Sequence, residues 1–481
     1  MRAQHARTKH FIAWLSVSGL AAALLVVGAS PASTTSLPHP GARDPSFVSS
    51  ALVTPPVGAI ETLPTGHLYV ASSGGVTKLV QSGEVDPSFS TSGQQVLQKD
   101  LQMPWMIGLQ PSGALLVAGR TSGKALPTGA IEWASSPIRR LLSDGSIDQS
   151  FSAGGAGPES ETNEVADLLV RLDGSFLSLG LTKLFASSTW RWCAWFTPEG
   201  VTNGACPLAW AYAFTPAGEL MAAFSDGKLQ RFNKDGSPDT SFSFDFGTAD
   251  VDGLLVQPDG KVLVSTQPTS SLQRRLVRLN QDGTVDTGFL PAVFDGSIAA
   301  LAVESAGRIL VGGEFHMVNG SPVPYLVRLN ADGSRDASYR MSGSGLDGPV
   351  KAVKVQPDGR ALVGGDFTSY AGQPVGPLVR LAGDPRAVPQ PGALAFPKQP
   401  VNTSSKPMVV VVGNEGTSDL VFPQGALSFA GVHPKQFLVS KDTCSGKAVA
   451  PGGACTVAVR LRPTSKGSKS ATLRIASNSA T

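Results

Sequence analysis

Apolar positions along this chain fall in short runs broken by turn residues, and the clearest stretch is Leu254–Phe289. Leu254–Gln257 and Val262–Val264 are β-rich runs joined by Pro258-Asp259-Gly260. In that turn proline presets φ and glycine accepts a positive φ. Leu276–Asn280 is a third run, and Asn280-Gln281-Asp282-Gly283 turns the chain into a fourth, Thr284–Phe289. Four short antiparallel strands in about 45 residues make one propeller blade.

Versions of this unit recur from Asp44 to Leu381. A turn glycine ahead of an apolar run stands at Gly66, Gly113, Gly174, Gly218, Gly260, Gly307 and Gly359, seven in all. A basic-apolar strand end follows at Lys78-Leu79, Arg140-Leu141, Arg231-Phe232, Arg278-Leu279, Arg328-Leu329 and Arg380-Leu381, with Trp195-Phe196 as the degenerate member. A closing tag, Asp-x-Ser/Gly-Phe/Tyr, stands at Asp86–Phe89, Asp148–Phe151, Asp239–Phe242, Asp286–Phe289 and Asp336–Tyr339. The last unit stops at Asp384 without a tag, while a spare one stands at Asp44–Phe47. The N-terminal segment is therefore expected to supply the missing outer strand of the last unit. One unit cannot bury both of its apolar faces, but each member of a ring packs on two neighbours, and closure removes two sheet edges. The expected fold is all-β: a seven-bladed β-propeller over 42–384. Gly123–Pro137, with Trp133, and Gly154–Glu164 read as loop insertions on a rim.

The two ends of the chain depart from the repeat. Arg2, Arg7 and Lys9 precede an uncharged run from Phe11 to Gly28, and small residues follow. Residues 1–32 read as a secretory signal peptide cut after Ala29 or Ala32, the alternative being an uncleaved signal anchor. No later run is long enough to cross a membrane. Residues 385–392 read as a Pro-rich linker, and 393–481 as a separate β domain in which TVAVRLRP and ATLRIAS alternate like half-buried strands.

Composition agrees with β structure: 54 Gly and 36 Pro punctuate the runs, and only 16% of residues are charged. Net charge needs dividing before it means anything. Residues 390–481 hold ten Lys/Arg against three Asp/Glu, a formal +7, and the leader holds three cations within a total of +3. The region between is therefore acidic by about −7. A basic tail domain suits an anionic envelope polymer, or simply its acidic neighbour. The four cysteines lie as two close pairs. In an oxidising compartment Cys193 is expected to pair with Cys206, and Cys444 with Cys455. Neither pair has a CxxC spacing and the six His show no ligand spacing, so no metal site is expected.

Candidate chemistry is thin. Gly343–Gly348 matches G-x-G-x-x-G but lies between units, outside any strand-turn-helix context. The Asp-Gly pairs at Asp144, Asp235, Asp282, Asp332 and Asp358 lack a calcium-loop pattern and read as turn caps. The tag aspartates recur in most units, whereas an active site needs one asymmetric set, so they read as structural. Trp190, Trp192 and Trp195 are the most function-like cluster: Trp190 and Trp192 share one strand face and Trp195 takes the other. Exposed, they would stack on a sugar or a partner; buried, they fill space between irregular units.

LVRLNQDGTVDTGF, LVRLNADGSRDASY, VQPDGKVLV and VQPDGRALVGGDF resemble the bacterial delta-60 repeat, a propeller-forming repeat of exported proteins. The resemblance implies fold and export and carries no common activity. The tail resembles the Hydin-like immunoglobulin domain of the choice-of-anchor D type, through Val412–Gly416, the Cys444–Cys455 segment and the RPTSKG turn. It implies an immunoglobulin-like β-sandwich. Such domains continue with a further strand where this chain stops at Thr481, so either the sequence is a fragment or a partner supplies that strand.

The sequence thus predicts a secreted or cell-surface scaffold, not an enzyme, binding an unknown protein or carbohydrate. No catalytic residue, cofactor or nucleic-acid partner is assigned. The alternatives are an enzyme acting on envelope polysaccharide or peptidoglycan, which needs carboxylates or a His converging at one channel mouth, and a purely architectural envelope protein.

Overall fold

A computed structural model describes residues 39–479 apart from 98–101, 123, 126–130, 133–137, 152–161, 185–187, 269–270, 272, 305 and 324. The leader and most of both rim insertions lie outside those residues. Among them the chain is all β, with antiparallel sheets and one short 3-10 turn at Pro434–Gln436. No helix of the described residues is long and apolar enough to cross a membrane.

Seven strands begin successive units: Val57–Thr62, Gln102–Leu109, Thr162–Val170, Ala211–Phe214, Asp250–Val256, Ile298–Val303 and Val350–Val355. Each packs against the next, and Val350–Val355 packs back on Val57–Thr62, so the series closes. Within a unit the strands run up and down. In the fifth, Val256 faces Val262 across one turn and Val262 faces Leu279 on the other side. Tight turns with positive φ at Gly260 and Gly283, 80° and 85°, make these reversals possible.

Seven apolar clusters fill the junctions between neighbours. Leu255 and Leu263 of the fifth unit meet Ile298 and Val311 of the sixth, and Val57 and Val70 of the first meet Ala352 and Leu362 of the seventh. Both faces of each unit are buried, which is why the runs are nearly continuous in apolar residues instead of alternating.

At the closure the N-terminal segment lies beside the third strand of the last unit. Arg43 bridges Leu381, Gly41 N–H donates to Ala382 O at 2.8 Å, and Asp44 N–H donates to Arg380 O at 2.8 Å. In the fifth unit the outer strand differs from the expectation. Of the run Thr284–Phe289 only Val285 bridges back to Leu279, and Ala292–Phe294 then pairs with the third strand. The Asp286 side chain caps its own turn at Gly288 N–H, but the same cap by Asp239 on Ser241 N–H leaves the fourth outer strand, Pro238–Asp245, paired with Lys228–Phe232.

The stretch 385–392 is not a free connector. Ala387–Gln390 pairs with Val411–Asn414 as the edge strand of a four-stranded sheet with Ala454–Leu461 and Phe437–Asp442. Two short ladders, Leu420–Val421 with Ala448–Val449 and Leu427–Ala430 with Thr472–Ile475, cover its inner face over a core of Val410, Val412, Phe422 and Val457. Thr417 seats this layered domain on the ring: its hydroxyl accepts from Gly383 N–H at 2.8 Å and its N–H donates to Asp384 O at 3.0 Å.

Candidate functional site

The repeated ionisable residues form a lock. The cation ending the third strand donates from Nε to the tag aspartate: Arg278 to Asp286 at 2.7 Å, Arg380 to Asp44 at 2.8 Å and Arg140 to Asp148 at 2.8 Å. The same guanidinium lies over the tag ring, with Arg278 4.6 Å from Phe289 and Arg380 5.0 Å from Phe47. Its remaining nitrogen reaches a turn carbonyl of the next unit. Arg231 donates to Gln281 O at 3.0 Å, and Arg380 to Gln81 O at 2.6 Å. The other aspartate oxygen accepts from the residue two positions on, as Asp44 does from Ser46 N–H and Oγ at 2.9 and 2.6 Å. The first unit uses Lys78 against Asp86 at 2.9 Å.

These partners hold the tags ionised. Hydrogen bonds from the Ser241 hydroxyl and N–H, then Arg231, bring Asp239 to about 2. Lys261 does the same for Asp286, also about 2, over opposing burial and with help from Arg278. A carboxylate committed to three donors and held near 2 is no general base at neutral pH.

The sixth unit modifies the lock. Arg328 is fully buried and pairs with Asp336 in the usual way, but it also meets Glu304 at 3.2 Å and Asp384 at 2.8 Å. Arg308 joins the same group through Glu304 at 3.4 Å, and through Asp384. Burial raises the Glu304 carboxyl above its ordinary value, against the pull of Arg328. This cluster sits where ring and tail meet, and sequence reasoning passed over it. The available signal was substitution within the repeat: Glu304 stands where other units carry Gln110, Gln257 and Gln356.

The locks and the turns after the first and third strands lie on one face of the ring; the connections between second and third strands lie on the other. That second face is irregular. The sixth and seventh units carry small hairpins there, Met317–Val318 with Ser321–Pro322 and Ser369–Tyr370 with Gln373–Pro374. The third unit goes further. Thr162–Val170, Phe176–Leu184 and Ser188–Phe196 are 9 residues each, against 5 for Leu68–Ser72. The surplus lengthens the strands by roughly 13 Å at a strand rise of about 3.3 Å per residue.

Trp190 lies on this extension, opposite Thr182 and two residues from the end of the paired segment; its side chain is outside the described set. Trp192 is buried at the junction with the second unit, its ring against Gly180 where a Cβ would collide with the indole. Trp195 is half-buried on the opposite face, stacked 5.9 Å from Phe214 with Arg171 4.1 Å above it. The three tryptophans therefore do not share one surface. Cys193 and Cys206 are bonded, with Cα atoms 5.3 Å apart, and Cys444 and Cys455 likewise at 5.1 Å. Among the described residues no group of three or more His, Cys, Asp or Glu is placed to hold a metal ion.

The family described as a domain of unknown function (DUF5122) beta-propeller matches residues 217–242, 257–289, 305–339 and 356–384. This chain is a β-propeller protein. Each matched segment of the propeller opens at the turn after a first strand, and three of the four close on a tag aromatic: Phe242, Phe289 and Tyr339. No curated protein sequence matches it. Among solved structures, a gluconolactonase from Xanthomonas campestris is similar at 15% identity and a TM-score of 0.35, over 68% of this chain and 86% of that one.

Proposed function

We propose that this chain is an exported or cell-surface scaffold, a seven-bladed propeller of delta-60-like repeats carrying an immunoglobulin-like, choice-of-anchor D-type tail, that binds a protein or carbohydrate without turning it over. The observation that carries the reading is the lock. The carboxylates that recur through the repeat are tied to arginine, a ring and a neighbouring turn, so they build the ring. The variable surface lies on the opposite face, where the third-unit hairpin extends its sheet and the sixth and seventh units add small hairpins; connections of this kind carry recognition on many rigid scaffolds. Two disulfides suit an oxidising compartment.

The test is retention of the purified chain on arrays of envelope polysaccharides and on envelope protein extracts, beside a Trp190→Ala variant. A retained partner that the variant loses supports the reading. No retention from either source counts against it, and turnover of an arrayed glycan would identify an enzyme instead.

A further inference from the structure

The tail domain is electrically polarised along its length. Strand Met408–Asn414 runs from the far end toward the ring, because Asn414 adjoins Thr417, which seats on Gly383. Ala454–Leu461 runs back, and Leu461 pairs with Phe437 at the far end. Three loops meet there. Asn402 N–H donates to Pro463 O at 2.7 Å, Arg462 N–H to Gln436 O at 2.8 Å, and His433 N–H to Ser470 O at 2.9 Å. Lys398, Lys406, Lys435, Arg462, Lys466 and Lys469 all belong to these loops, and all but Lys469 are exposed. Lys469 donates to Ser465 Oγ and Lys466 O, and Arg460 beside them to Ser405 O. None of these cations has a carboxylate partner among the described residues.

The three acids of the domain lie in the half nearer the ring. Glu415 pairs with Arg386 at 3.1 Å, Asp419 precedes the strand Leu420–Val421, and Asp442 caps Cys444 N–H at 2.8 Å. The far pole also presents apolar tips: Val432 is 76% exposed between Gly431 and His433, and Val401 is 38% exposed in the turn against Pro463.

We propose that this pole docks the protein on an anionic lipid bilayer. Like-charged side chains on convex loops, with no acid near them, gain attraction from an anionic surface. Valines at loop tips gain by entering the headgroup boundary, whereas a hydrated acidic glycan would leave them in water. The pole is built of tips; the recess lined by Asn414–Gly416 and Gly452–Ala454 is at the opposite end of the domain. The inference deepens the scaffold reading by assigning the tail its surface, and its test is independent of any ligand of the propeller.

The full chain is mixed with vesicles of phosphatidylcholine containing about a quarter phosphatidylglycerol, and with phosphatidylcholine alone. Preference for the anionic vesicles, weakened by salt, is expected. Lys435→Glu with Lys466→Glu and Lys469→Glu should lower partitioning by about tenfold or more, and Val432→Ser by a smaller factor. Lys441→Glu with Lys447→Glu and Arg474→Glu carries the same charge change away from the pole and should bind nearly as the parent does. Thermal melts establish that each variant is folded, and Lys435→Glu alone replaces the triple if it is not. Equal loss in both triples, no anionic preference, or capture by soluble polyphosphate without vesicle binding would overturn the proposal. Vesicle binding without retention on the arrays would leave the pole intact and sink the propeller reading alone.

Discussion

Nη2 of Arg328 donates to Oδ1 of Asp384 at 2.8 Å, joining the sixth unit of the ring to the residue from which the tail domain departs. In the fifth unit the matching guanidinium finds a turn carbonyl, Ala331 O. The sixth-unit lock therefore holds two domains together as well as two blades.

Arg328→Ala leaves Glu304, Asp336 and Asp384 facing one another with only Arg308 among them. Breaking a buried pair on one side costs about 3–5 kcal/mol. The denaturant midpoint should fall accordingly, and proteolysis should begin near 384–392. Arg335→Ala, outside the cluster, should change neither measurement.

Glu304 gives a pH signature of opposite sign to the tags. Its folded pKa is raised, first by burial. A carboxyl raised in the fold contributes stability that is present below its unfolded value, about 4.3, and lost as pH rises through the folded one. The parent should lose stability above about pH 4 relative to Glu304→Gln, which restores the residue other units use. Parallel stability curves for the two proteins would refute this.

The tag aspartates set the acid limit. Asp239 and Asp286 are held at about 2 in the fold, against about 3.9 unfolded. Their contribution is complete above the unfolded value and disappears as pH falls through the folded one. Acid unfolding should steepen between about pH 4 and 2, and Asp239→Asn with Asp286→Asn should flatten that limb in a circular-dichroism titration.

Trp190 and Trp192 should separate binding from stability. Trp192→Ala empties a junction and should cost about 3–5 kcal/mol, while Trp190→Ala should leave the melting temperature unchanged and weaken ligand retention. Gly180→Ala should act like the Trp192 change, because the new methyl group takes the space of the indole. If Trp190→Ala destabilises as much as Trp192→Ala, the projecting hairpin is packing and not a binding surface.

Local chemistry was legible in the sequence wherever one turn or one tag decided it. Gly260 and Gly283 announce their reversals, and the unpaired tag at Asp44 points to the untagged end at Leu381. The pattern failed at the outer strand of the fifth unit, which pairs at Ala292–Phe294 although the fourth, with the same capped tag, pairs through Pro238–Asp245. It also failed at Pro385–Gly392, where three prolines suggested a connector but Ala387–Gln390 joins a sheet edge, a place proline tolerates. Trp192 and Trp195 could not be assigned to core or surface because both faces of a blade are buried, so alternation carries no inside or outside. The Glu304 cluster assembles from residues up to 80 positions apart, Glu304 to Asp384, and only their shared burial reveals it.

The pairing of Asp44 with Arg380 spans 336 positions. The segment that completes the last unit is thus among the first synthesised, and its partner strand among the last of the ring. Units one to six can form in order as the chain emerges, each from local contacts. The segment around Asp44 must stay unpaired, with its strand edge open, until the seventh unit arrives. Long-range closure of this kind is slow and leaves an edge open to association. Ring completion is thereby a late event that reports a finished propeller, and an incomplete chain carries its own sticky end.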